Sequence, residues 1–117
     1  MGKINLAITG CMGRMGQQLI KSVIKDKSTK LVALTENRAI NKKINGIKPE
    51  YNSEKALNKA NVIIDFTIPK CTFEVLKIAS KLKKKVVIGT TGFTEKEENL
   101  IKKFSKKIPI LTAGNMS

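Results

Sequence analysis

A chain of 117 residues with 41% hydrophobic residues is long enough for one globular domain with its own core. Its formal charge of +14 comes mainly from lysine, and no apolar run approaches the ~18 residues a membrane helix needs. The lack of histidine and the spacing of Cys11 and Cys71 argue against metal clusters, a disulfide framework and histidine-based catalysis.

Ile4 to Thr9 is an apolar run that reads as a buried strand. It leads into Gly10-Cys11-Met12-Gly13-Arg14-Met15-Gly16. A predicted helix then runs from roughly Gly13 to Lys25, with Met15, Leu19, Ile20, Val23 and Ile24 on one face. A glycine-rich turn between a strand and a helix suits a dinucleotide pyrophosphate. Free N–H groups point at the anion, and the positive end of the helix dipole attracts it. In this G-x-x-G-x-x-G spacing, Gly10 permits the tight turn and Gly13 lets backbone approach the phosphates. Gly16 lets helix and strand pack closely. Cys11 stands where a helix N-terminus lowers a thiol's pKa, but its size suits a small residue in a tight loop better than a redox group.

Thr29 to Glu36 is the second predicted strand, followed by a polar loop from Asn37 to Asn52. Ser53 caps a short helix through Lys59, with Ala56 and Leu57 inward. Val62 to Phe66 is a third strand. Thr67-Ile68-Pro69 turns the chain into a helix from about Cys71 to Lys83, with Val75, Leu76, Ala79 and Leu82 on one face. Val86 to Ile88 is a fourth strand, ending in Gly89-Thr90-Thr91-Gly92. Thr94 and Glu97 form a capping box for a helix whose Leu100, Ile101 and Phe104 face the core. Ile108 to Leu111 starts a fifth strand, with Pro109 near its beginning.

This alternation predicts an α/β fold, a Rossmann-type doubly wound parallel sheet. Ligands of such sheets bind beyond the carboxyl ends of the strands. There the sequence gathers its polar and glycine residues: Gly10 to Gly13, Glu36, Thr67, Gly89 to Thr91, and Ala113 to Asn115. Glu36, about twenty residues beyond Gly16, can accept hydrogen bonds from the adenosine ribose and favours NADH. Arg38, with Lys42 and Lys43 nearby, can instead receive a 2′-phosphate and admit NADPH. Asp65 is expected to be structural and Thr67 to shape the turn within reach of the cofactor. Thr90 and Thr91 offer hydroxyl and backbone groups near the nicotinamide end. The lysines, notably Lys81 and Lys83 to Lys85, then Lys102, Lys103, Lys106 and Lys107, fall mainly on polar helix faces and near helix ends, without aromatic-basic interleaving of the stacking kind. They predict a solvated basic surface, with no nucleic-acid partner. No signal peptide or membrane segment is visible, so a cytoplasmic protein is expected.

Four segments resemble dihydrodipicolinate reductase (4-hydroxy-tetrahydrodipicolinate reductase), the family of bacterial lysine and diaminopimelate biosynthesis. They are GCMGRMG from Gly10, IDFTIP from Ile64, VIGTTGF from Val87 and AGNMS from Ala113. The resemblance spans nearly the whole chain. It implies that Gly10 to Met15, Glu36, Gly89 to Thr91 and Ala113, Gly114, Asn115 and Met116 line a nicotinamide dinucleotide, with Arg14 near its phosphates or adenosine. Family members often carry arginine directly after the ribose-binding acid. Here Asn37 holds that place and Arg38 follows, which leaves NADH versus NADPH open. Met116 also stands where the family more usually has phenylalanine.

The resemblance further implies hydride transfer to a cyclic imine dicarboxylate, giving tetrahydrodipicolinate, in a homo-oligomeric full-length enzyme. The family's substrate domain carries a His-His-x-x-Lys-type motif and Pro-Ser-Gly-Thr, neither of which lies before Ser117. Residues 1–117 are therefore expected to be the cofactor domain alone, truncated after about five strands and inactive by itself, with part of the sheet's apolar cover missing. They are expected to meet the dicarboxylate substrate only together with that second domain. The alternative is a stand-alone nucleotide-binding or redox-sensing module.

Overall fold

Short Ile/Val-rich runs extend and pair because β-branched side chains fit a pleated surface buried on both sides. In a computed structural model that describes residues 2–113, they form β1 (Ile4–Thr9), β2 (Thr29–Thr35), β3 (Val62–Asp65), β4 (Lys85–Ile88) and β5 (Ile110–Thr112). The helices between them are α1 (Arg14–Lys25), α2 (Glu54–Leu57), α3 (Pro69–Leu82) and α4 (Glu95–Phe104). The strands make a five-stranded sheet in the order β2-β1-β3-β4-β5, with every neighbouring pair parallel. This is the Rossmann-type doubly wound architecture, and its winding reverses between β1 and β3.

The two faces bury different sets of side chains. Ile8, Ile20, Val23, Leu31 and Leu34 form a core under α1. On the other face, α2, α3 and α4 cover Ile63, Val86 and Ile88 with Leu57, Val75, Leu76 and Ile101. Each fully buried side chain of this size contributes about 1.5–3 kcal/mol. The β1–β2 register runs Leu6 to Leu31 and then Ala7 to Ala33, so Val32 is an extra residue. That bulge turns both Val32 and Ala33 toward the α2–α4 core and returns Leu34 to the α1 side. On the α1 side of β3 to β5, Val62, Ile64 and Val87 are half-buried and Leu111 is exposed.

Local chemistry sets the helix ends. Ser53 accepts the Ala56 N–H, and the Thr94–Glu97 capping box is fully formed. α3 starts at Pro69 rather than Cys71, because proline fits the first helical position, where no N–H is needed. β5 starts at Ile110 rather than Ile108, which is buried in the α2–α4 core instead. Three apolar residues expected inward are not. α1 rests on Gly16, Ile20 and Val23, which leaves the flanking Met15 and Ile24 45% and 48% exposed. In α4, Ile101 is buried while its neighbour Leu100 turns outward. The polar 37–52 segment has no long helix or strand, but it tucks in Ile40 and pairs Glu50 with Thr35.

Candidate dinucleotide site

The glycine turn at the end of β1 is shaped by close backbone approaches. Gly10 has φ +64°, and a Cβ there would stand 2.7 Å from Thr67 Cγ2 and 2.9 Å from the Phe66 carbonyl oxygen. A Cβ on Gly16 would meet the Gly10 carbonyl oxygen at 2.3 Å. Gly13 is different: it is exposed, and a Cβ there would have only the Gly10 carbonyl oxygen nearby, at 3.3 Å. α1 begins directly after Gly13 with no side-chain cap and no acidic residue in its first turn. Its leading N–H groups and the positive end of its dipole are therefore available to an anion.

Glu36, at the end of β2, is tied to this turn. One carboxylate oxygen accepts the Met12 N–H at 2.9 Å and the other accepts the Asn37 N–H at 3.0 Å. Each oxygen keeps further acceptor capacity, and Glu36 is half-buried at the pocket edge. Cys11 lies beneath it, fully buried in the α1 core, with its N–H on the Thr35 carbonyl. Burial, then the Glu36 carboxylate, push the Cys11 thiol up to about 11. The start of α1 does not lower this thiol's pKa, because the side chain points into the core. Only backbone of Cys11 faces the turn.

At the end of β3, Asp65 is fully buried and four threonine hydroxyls converge on its carboxylate. Thr9 and Thr67 donate to Oδ1 at 2.5 and 2.9 Å, and Thr72 and Thr90 to Oδ2 at 2.5 and 3.0 Å. The Thr67 N–H in turn donates to Thr90 Oγ1 at 2.7 Å, joining the ends of β3 and β4. Gly89 donates its N–H to the Asp65 carbonyl oxygen at 2.7 Å. A Cβ on Gly89 would fall 1.9 Å from the Phe66 ring, so only glycine lets that ring lie against the strand end.

These groups border two neighbouring hollows. One, of about 180 Å³, brings together Gly10, Gly13, Glu36 and Thr67. The other, of about 260 Å³, is lined by Thr90 and Thr91 with Phe93 and Lys102. Arg14 and Met15 are exposed at the start of α1, and Met12 is half-buried beside Glu36. Arg38 is exposed and lines a separate hollow with Lys48 and Tyr51. Gly89 is buried beneath Phe66. Ala113 is half-buried and bonded to the Ile88 carbonyl at 2.7 Å. Gly114, Asn115 and Met116 lie outside the described residues.

Sequence reasoning missed Asn52, Phe66, Ile68 and Cys71, which also line the first hollow. Phe66, Ile68 and Cys71 surround the β3–α3 turn, so their proximity to Thr67 gave a usable signal. Asn52 arrives through the Thr35–Glu50 pairing and its hydrogen bond with Thr35, which no local pattern announces. Among the described residues, no group of three His, Cys, Asp or Glu could hold a metal ion. Nor is any described helix long and apolar enough to cross a membrane.

A parallel sheet with a glycine turn, an uncapped helix and a strand-end acid at its winding reversal defines a dinucleotide-binding domain of Rossmann type. The family described as dihydrodipicolinate reductase, N-terminus, matches residues 4–116, and the chain belongs to that family. It is 71% identical over 117 residues to the 4-hydroxy-tetrahydrodipicolinate reductase of Pelagibacter ubique (strain HTCC1062), covering 100% of this chain and 45% of that protein. The reductase of the same name from Buchnera aphidicola subsp. Schizaphis graminum is 42% identical over 125 residues, covering 96% of this chain and 45% of that protein.

Among solved structures, the dipicolinate-bound dihydrodipicolinate reductase from Paenisporosarcina sp. TG-14 superposes with a TM-score of 0.78 at 26% identity. The match covers 97% of this chain and 48% of that one. A homoserine dehydrogenase from S. aureus superposes at 0.76 with 14% identity over 96% of this chain and 32% of its own, a likeness of fold alone. The chain thus spans about half the length of the relatives it matches, 45% for the two reductases above.

Proposed function

We propose that residues 1–117 form the cofactor domain of a reductase that transfers hydride from a nicotinamide dinucleotide to dihydrodipicolinate, giving tetrahydrodipicolinate. The carrying observation is the uncapped start of α1 at Gly13, facing Glu36 and Thr67 across one hollow. The N–H groups that follow Gly13 hold the pyrophosphate, with Arg14 beside it. The free lone pairs of Glu36 accept the adenosine ribose hydroxyls. Thr90, Thr91 and Ala113 border the nicotinamide end. When bound, the reduced nicotinamide supplies the hydride, and the domain supplies orientation and electrostatics. The groups that bind and protonate the dicarboxylate belong to the part of the relatives' length outside these residues.

NADH is the preferred donor in this reading. The Glu36 carboxylate repels a 2′-phosphate, and Arg38 lines a different hollow. Separate titrations with NADH and NADPH at one ionic strength test the preference. Tighter NADH binding is expected, and equal or tighter NADPH binding would overturn it. For the reaction, the protein at its full natural length should oxidise the dinucleotide only when dihydrodipicolinate is present. Oxidation that does not depend on that substrate would contradict the assignment.

A further inference from the structure

We propose that Asp65 fixes the polarity of Thr67, so that the Thr67 hydroxyl meets the bound dinucleotide only as a hydrogen-bond acceptor and selects a donor group on it. The inference rests on the dinucleotide reading above and deepens it.

A threonine hydroxyl has one proton and two lone pairs, whereas a carboxylate only accepts. Four hydroxyls lie within hydrogen-bond distance of Asp65, two on each oxygen. The Thr67 proton has other acceptors in reach, the Ile68 carbonyl at 3.3 Å and Thr72 Oγ1 at 3.5 Å. Both are neutral and more distant than Asp65 Oδ1 at 2.9 Å, and the charge-assisted bond is the stronger. With its proton committed inward, Thr67 Oγ1 has only lone pairs left to offer a ligand, and the residue lines the hollow it shares with Gly13 and Glu36. Thr90 is less free, because its oxygen already accepts the Thr67 N–H and the residue is buried.

Charge points the same way. Among the described residues, the salt bridges join Lys59 to Glu50 and Lys81 to Glu54, and none reaches Asp65. A phosphate placed at Thr67 would face an acceptor backed by a buried anion. An adenosine ribose hydroxyl or the carboxamide NH₂ would face a matched partner. The hollow therefore has two poles, with the start of α1 drawing the phosphates and the Asp65–Thr67 side taking a donor.

The test uses the protein at its full natural length and three reduced dinucleotides. They are NADH, its 3-acetylpyridine analogue (methyl in place of the carboxamide NH₂) and its 2′,3′-dideoxyadenosine analogue. Thr67→Val should weaken NADH about tenfold, the scale of one hydrogen bond, and Thr67→Ser should restore it. The analogue lacking the selected donor should bind wild type and Thr67→Val alike. Insensitivity of the acetylpyridine compound assigns the carboxamide, and insensitivity of the dideoxy compound assigns the ribose.

Asp65→Asn places an NH₂ donor among the threonines and frees hydroxyl protons, so it should abolish the discrimination between NADH and that analogue. If that variant does not fold, the Thr67 comparison decides alone. Equal weakening of all three ligands by Thr67→Val, or none, would overturn the proposal while leaving the cofactor site intact. A folded wild-type protein that binds no NADH would overturn the cofactor reading, and the polarity with it.

Discussion

The Glu36 carboxylate accepts the Met12 N–H at 2.9 Å, so the acid at the end of β2 braces the glycine turn after β1. The same group therefore shapes the site and stands ready to meet a ribose. The two roles can be separated. Glu36→Ala leaves the Met12 N–H without this partner and should cost about 1 kcal/mol of stability. It should also weaken NADH roughly ten- to a hundredfold, the range for hydrogen bonds to a charged group. Glu36→Gln keeps an acceptor for Met12, so it should recover most of the stability and only part of the affinity. Denaturant titration and ligand titration of the two variants check both effects.

Gly13 and Gly16 should respond in opposite ways to the same added methyl group. At Gly16, a Cβ would stand 2.3 Å from the Gly10 carbonyl oxygen and 2.9 Å from Cys11 Cα, both backbone atoms. Gly16→Ala should therefore destabilise the fold by about 1–3 kcal/mol or more. At Gly13, φ is −72° and the nearest atom is 3.3 Å away. Gly13→Ala should leave stability within about 1 kcal/mol of wild type and act on dinucleotide affinity instead. Parallel melting and binding curves would show whether the two positions divide in this way.

The buried Cys11 thiol gives the fold an alkaline weakness. Its folded pKa, about 11, lies above the ordinary thiol value of 9.0. The unfolded chain therefore loses the proton first. The contribution of the neutral thiol is fully present below pH 9 and is lost as pH rises toward 11. Cys11→Ala should flatten stability across that window. Cys71, half-buried in the wall of the first hollow, also has its thiol raised, by burial and then by the nearby carboxylate of Glu74. It should react slowly with a maleimide near neutral pH but before Cys11, and NADH should protect it.

Much of this was legible because the signals are local. The strand–glycine turn–helix unit, the Thr94–Glu97 capping box and the apolar period of α3 each need only neighbouring residues, and each occurs where its pattern predicts. What stayed hidden depends on contacts between distant segments. The exposure of Met15, Ile24 and Leu100 follows from how α1 and α4 sit on the sheet, which helical periodicity alone does not fix. Asp65 read as a structural strand-end acid. Its threonine partners come from β1, the β3–α3 turn, α3 and the end of β4, and only the folded sheet brings them together.

The start of α4 offers a control outside the hollow that holds the glycine turn. Thr94→Ala removes the cap from the Glu97 N–H and should cost about 1 kcal/mol. NADH affinity of the folded protein should not change. A parallel loss of affinity would mean that the cap holds the second hollow in shape, since Lys102 of α4 lines it.

The most direct measurement is a calorimetric titration of wild type and Gly13→Asp with NADH, with circular dichroism confirming that both are folded. Gly13→Asp puts a carboxylate where the pyrophosphate should lie, at a position open enough to leave the fold intact. Saturable binding by wild type that vanishes in the variant is the expected result. A folded wild type without saturable binding, or a variant that binds equally well, would show that the glycine turn is not a dinucleotide site.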